Sequence, residues 1–187
     1  MSNNLIETIQ INLAYPALKK IDPNLQDVKE TKESVYGDEQ LAQAAIPGVL
    51  AGLYKLSRDD EGSLRIINSG PAADGLTLLF PDNRTQLVEN VAQYARVPAT
   101  EAATHLHKIA IEAIRLAKEI AGENADPVKL KSYLNDQRHS ILVYLPAELD
   151  LGDILNDETL DDRTNKMEGP ISNLMHKIEN KLSQGGE

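Results

Sequence analysis

The chain contains no cysteine. That excludes disulfide scaffolds, thiolate catalysis, Cys-ligated zinc and iron–sulfur clusters. Long apolar runs are missing too. The most apolar window, residues 46–56, is interrupted by Pro47 and falls short of the roughly 18–20 residues needed to span a bilayer. No basic stretch precedes an apolar one in Met1-Ser2-Asn3-Asn4-Leu5, which argues against a secretory signal. These absences lead to the expectation of a soluble, cytoplasmic protein.

Positive charge is scarce. Lys and Arg total 19 against 29 Asp and Glu, a formal net charge of −10. Phosphate-binding surfaces depend on Lys and Arg, so nucleic acid and anionic membranes are not expected partners. The best basic pair, Arg58 with Arg65, is interrupted by Asp59, Asp60 and Glu61. Sequence motifs of catalysis are lacking as well. There is no Gly-x-Ser-x-Gly elbow, no Gly-rich phosphate loop, no Gly-x-Gly-x-x-Gly and no His-Glu-x-x-His.

The 187 residues are 41% apolar and 26% charged. This suits one domain or two small units with a real core. The apolar spacing is helical almost throughout. Leu5, Ile9 and Leu13 fall on one face, and Pro16 should end that helix. Asp22-Pro23 starts a second helix through Val35. Asp38 is expected to cap a long helix over residues 38–57, with Pro47 kinking or splitting it. Leu64, Ile66 and Ile67 form a short helix. Residues 68–82 hold most of the mid-chain turn formers. Asp82 should cap the next helix, and a long one follows over residues 98–121, stopped by Gly122. Asp126-Pro127 opens a short helix to Leu134, and Asp136 is expected to cap another over 137–145.

The reading is an all-α protein of two related halves, residues 1–75 and 76–147, packed through their long helices. The order of elements in the two halves suggests an internal repeat. Expected core positions are Leu41, Leu53, Leu106, Ile109, Ala113, Leu116, Ile141, Leu142 and Leu145. Residues 148–168 carry eight acidic and two basic side chains with poor helical phase. Residues 148–169 therefore read as a solvated acidic linker. Residues 170–187 then form a C-terminal helix and a frayed tail. Ile171, Leu174, Met175, Ile178 and Leu182 make one apolar stripe there. So short a helix needs an apolar surface to order: its own core, a second copy or a partner groove.

Residues 44–56, from Ala44-Ala45-Ile46-Pro47-Gly48 to Gly52-Leu53-Tyr54-Lys55-Leu56, lead to Asp60-Glu61-Gly62. Residues 130–149 run through Asn135-Asp136-Gln137 to Ile141-Leu142 and Leu145-Pro146. Over about residues 5–150 the chain resembles the YidB-like bacterial proteins of unknown function. It departs from them in carrying charged residues where Gly- and Ala-rich stretches are usual. The resemblance implies an all-helical fold and a bacterial origin, and it implies no catalytic residues.

Few side chains invite chemistry. His105 and His107 stand two apart, so on a helix they point about 200° apart and cannot share an ion. Glu101 and His105 have i,i+4 spacing without an evident third ligand. Asp59-Asp60-Glu61-Gly62 is similar to the middle of a calcium loop, but the Asp and Glu required at its ends are missing. A helix-capping turn explains it. Arg138-His139-Ser140 is expected at a helix start, as capping groups. No catalytic, cofactor-binding or metal-binding residue is assigned. The leading functional reading is a non-enzymatic protein interaction or assembly module, acting through residues 171–182. The alternative is a metal-dependent enzyme or regulator using His105, Glu101 and His139.

Overall fold

A computed structural model describes residues 4–21, 37–70 and 73–157. The expected helix after Asp22-Pro23, the end of the acidic segment and the stripe over 171–182 lie outside these residues. The described chain is all-helical, with no strand. Its elements are α1 (Leu5–Leu13), α2 (Asp38–Leu56), α3 (Asp60–Ile67), α4 (Gly75–Leu79), α5 (Arg84–Ala95), α6 (Ala99–Ala121), α7 (Pro127–Leu142), a single 3-10 turn (Ala147–Leu149) and α8 (Leu151–Leu155).

The centre of the fold is α2. Every residue from Leu41 to Tyr54 is buried, so this helix is covered on all sides rather than along one stripe. Its composition allows that. Ala42, Ala44, Ala45, Gly48, Ala51 and Gly52 let neighbouring helices approach closely, while Leu41, Ile46, Leu50 and Leu53 fill the gaps between them. Pro47 lies inside α2 without splitting it. It removes one backbone donor, which leaves the carbonyl of Gln43 without its helical partner.

Local signals set most helix ends. Asn4 accepts from the Ile6 N–H at 3.0 Å to start α1. Ala14 closes it in the left-handed conformation (φ 57°) two residues before Pro16. The Asp59 carboxylate accepts from the Gly62 N–H at 2.7 Å, so the Asp59–Gly62 run is a capping turn for α3. Gly122 (φ 76°) stops α6. Asp126 caps α7, with Pro127 at its first position.

Several sequence expectations are corrected. Asp38 is the first residue of α2, preceded by Gly37, and provides no side-chain cap. Residues 68–82 are not only turns. Asp74 accepts from the N–H groups of Leu76 and Thr77 and starts α4, whose Leu76 and Leu79 are buried. Asp82 caps nothing, since α5 follows Asn83. Asp136 breaks nothing either. α7 runs unbroken from Pro127 to Leu142, because Leu130, Leu134, Gln137 and Ile141 share one buried face across the expected break. Arg138, His139 and Ser140 therefore sit within a helix, not at its start.

α2 and α6, the two long helices, form the most extensive helix pair. The core is one continuous cluster, drawn from both sides of residue 75. α1 rests more on α6 than on α2, and α3 more on α6 and α7, so the two parts interleave. Of the expected core positions, all are buried except Leu142, which packs half-buried at the edge. The start of the expected acidic linker is also folded. Leu149, Leu151 and Ile154 are buried, and the 3-10 turn and α8 pack on α5 and α2. Three apolar residues at irregular spacing suffice there, because the segment changes from 3-10 turn to helix between them.

Candidate functional site

The histidines of interest do not converge. The His105 ring is half-buried and its Nδ1 lies 2.6 Å from the Tyr15 hydroxyl. Burial, and then the charge of Asp38, push the Tyr15 phenol up to about 12. A phenol held neutral in this way shares a hydrogen bond with Nδ1, its direction set by the imidazole tautomer, and ties the end of α1 to α6. His107 faces elsewhere, with its Nδ1 3.6 Å from Asp74. Glu101 and His139 are exposed. Among the described residues, no group of three or more His, Cys, Asp or Glu side chains could hold a metal ion.

Other charged groups serve the fold. The Asp74 carboxyl is held below its ordinary value first by the Thr77 hydroxyl, and further by backbone N–H groups and Arg84. Glu112 is held low chiefly by Arg115, with help from Asn12, whose Nδ2 donates to it at 2.6 Å. Asp157 is buried where the described chain ends. Its carboxylate accepts from Lys55 at 3.2 Å, in the last turn of α2, and from Arg58 at 2.5 Å, just past the helix end.

Two buried amides act as clamps. Gln43 Oε1 accepts from the Lys19 N–H at 2.8 Å, and its Nε2 donates to the carbonyls of Lys19 and Tyr144. One side chain thus fixes the segment after α1 and the segment after α7 to the central helix. Gln137 Oε1 accepts from the Leu5 N–H at 3.4 Å. Sequence reading missed both. The available signal was a single polar residue on an otherwise apolar helix face.

An open cleft of about 610 Å³ lies where the start of α2, the end of α5 and the 3-10 turn meet. It is lined by Gln40, Asn90, Gln93, Tyr94, Arg96, Glu148 and Asp150. Asn90 Nδ2 donates to the Leu149 carbonyl at 3.0 Å, which uses one of its two N–H groups and leaves the other N–H and Oδ1. Arg96 and Asp150 have left-handed backbones (φ 55° and 47°). Gln40 Oε1 is buried without a hydrogen-bond partner. These residues come from three separated stretches and form no sequence motif, so sequence reading did not find them. The lining holds amides, a phenol, a guanidinium and carboxylates, groups with the chemistry to donate and accept hydrogen bonds. Compared with protein-family models, curated proteins and solved structures, the chain matches none.

Proposed function

We propose that the protein is a non-enzymatic helical interaction or assembly module of a bacterial cytoplasm. The cytoplasmic setting is in keeping with the described residues, which include no helix long and apolar enough to cross a membrane. The bacterial setting rests on the resemblance to YidB-like proteins.

The observation that carries the reading is the cleft between α2, α5 and the 3-10 turn. It is open to solvent, and its polar side chains suit the recognition of another chain. The sequence stripe Ile171, Leu174, Met175, Ile178 and Leu182 offers a second, apolar contact. It begins 13 positions after Glu158 (171 − 158), beyond the point where Asp157 is fastened to α2. Methionine in such a stripe suits an adaptable partner surface. For the metal-dependent alternative His105 offers only its Nε2, because Nδ1 is bonded to Tyr15.

Light scattering of the full chain tests the assembly side. Self-association through the stripe gives a mass above 20.5 kDa, reduced to the single-chain value by Leu174→Asp with Ile178→Asp. The same substitutions leaving an oligomer intact would remove the stripe from the account.

A further inference from the structure

We infer that residues 147–157, the 3-10 turn with α8 and Asp157, form a releasable strap that opens from the α2–α5 groove as one unit while the rest of the body stays folded. The inference is independent of the interaction reading.

The strap lies across a groove that other elements build. Leu149 is buried, and a Cβ on Gly48 would meet its Cδ1 and that of Leu87 at the same 3.8 Å. Leu149 therefore sits between α2 and α5. Leu151 and Ile154 are buried on the same segment. Asn83, just before α5, donates to the Ile154 carbonyl at 2.8 Å, and Asn90, two turns later, donates to the Leu149 carbonyl at 3.0 Å. The strap thus runs antiparallel to α5, with two side-chain amides on its main-chain oxygens. At its far end the Asp157 carboxylate is 5% exposed and bonded to Lys55 and Arg58.

Closure of the strap is finely balanced. Three buried aliphatic side chains offset only part of the backbone entropy lost in ordering residues 147–157. α8 has five residues, too few to persist without a surface to lie on. Asp150 and Asn156, on either side of it, have left-handed backbones (φ 47° and 49°), a conformation that favours release. The polar anchors make up the difference, and Asp157 is the charged one. Its two cations retain 34% and 44% exposure, so water reaches this latch from outside. Opening stops upstream at Tyr144, whose carbonyl accepts from Gln43 at 2.7 Å. α2 and α5 remain packed on each other and on α6 when the strap lifts. The body then bares an apolar groove at Gly48 and Leu87 that its own chain otherwise keeps shut.

Native-state amide exchange of the full chain tests this. The amides of Asp150, Ile154, Asn156 and Asp157 all bond within the strap. They should share one level of protection, at least about tenfold below that of Ile109 and Ala113 in α6, as a separate opening unit requires. Asp157→Asn should lower the strap's protection by at least about tenfold more, because the latch loses its charge, and leave α6 unchanged. Asp153→Asn removes an exposed carboxylate from the same segment and should change neither. Should Asp157→Asn fail to fold, Arg58→Ala must give the same strap-specific loss. Strap amides as protected as those of α6 in the wild-type chain would overturn the inference. So would equal losses in strap and α6, or a strap indifferent to the latch substitution or equally loosened by Asp153→Asn.

Discussion

The ring of Phe80 lies on the backbone of α2 at Gly52, in the space that a Cβ there would occupy. Gly48, one turn earlier, is different. A Cβ at that position would sit 3.8 Å from Leu87 and Leu149, ordinary contact distance. Gly52→Ala should therefore destabilise the protein by about 1–3 kcal/mol through overpacking. Gly48→Ala should be neutral or stabilising by about 0.5–1 kcal/mol, because alanine is the better helix residue. Phe80→Leu should cost less in the Gly52→Ala background than in wild type, which urea denaturation of the four proteins would show.

Leu106 is fully enclosed on α6, whereas Leu116 retains 7% exposure. Leu106→Ala should cost about 2–5 kcal/mol, as expected for a core cavity. Leu116→Ala should cost less, since its site opens toward solvent. Equal losses in chemical denaturation would mean that α6 is not packed as described.

The contrast between α6 and the 147–157 segment explains what was legible in the sequence. α6 packs one face, so Ala102, Leu106, Ile109, Ala113 and Leu116 announce it by period. The central position of α2 was not legible, because a helix buried all round has no polar face to give phase. Its glycines and alanines mark close approach, which only the neighbours reveal. α4 was hidden among Gly, Pro and Asp residues that usually end helices. Leu149, Leu151 and Ile154 were hidden by the carboxylates between them, since charge was averaged over a window that included buried anchors. The cleft was invisible for a different reason: its residues meet only after α2, α5 and the 3-10 turn are packed together.

Gln43 holds two chain segments at once. Gln43→Leu removes the acceptor for the Lys19 N–H and the donor for the carbonyls of Lys19 and Tyr144. The expected loss is about 2 kcal/mol, in the range for buried polar groups left unmet. The backbone amide of Lys19 should exchange with solvent faster than in wild type. The Ile21 N–H donates to the Val143 carbonyl nearby and should loosen with it. Unchanged exchange at both positions would show that the clamp is not needed.

Tyr15 supplies a pH dependence. Its phenol is raised to about 12 by burial and by Asp38, against about 10 in the unfolded chain. Between those values the native state holds a proton that the unfolded state has lost. The stabilisation is therefore complete below about pH 10 and declines as pH rises toward 12. A phenolate titration followed by carbon NMR should find Tyr15 ionising near pH 12. Asp38→Asn should lower that midpoint, because the second cause of the shift is then gone. An ordinary Tyr15 midpoint near 10 would contradict its burial beside Asp38.

The claim that this is an interaction module is tested most directly by the native mass of the chain taken from its own cells at physiological salt. The single chain weighs 20.5 kDa. The account predicts a stoichiometric complex above that mass, with a second copy or another protein, disrupted by Leu174→Asp with Ile178→Asp. A chain found wholly at 20.5 kDa, before and after these substitutions, would contradict it.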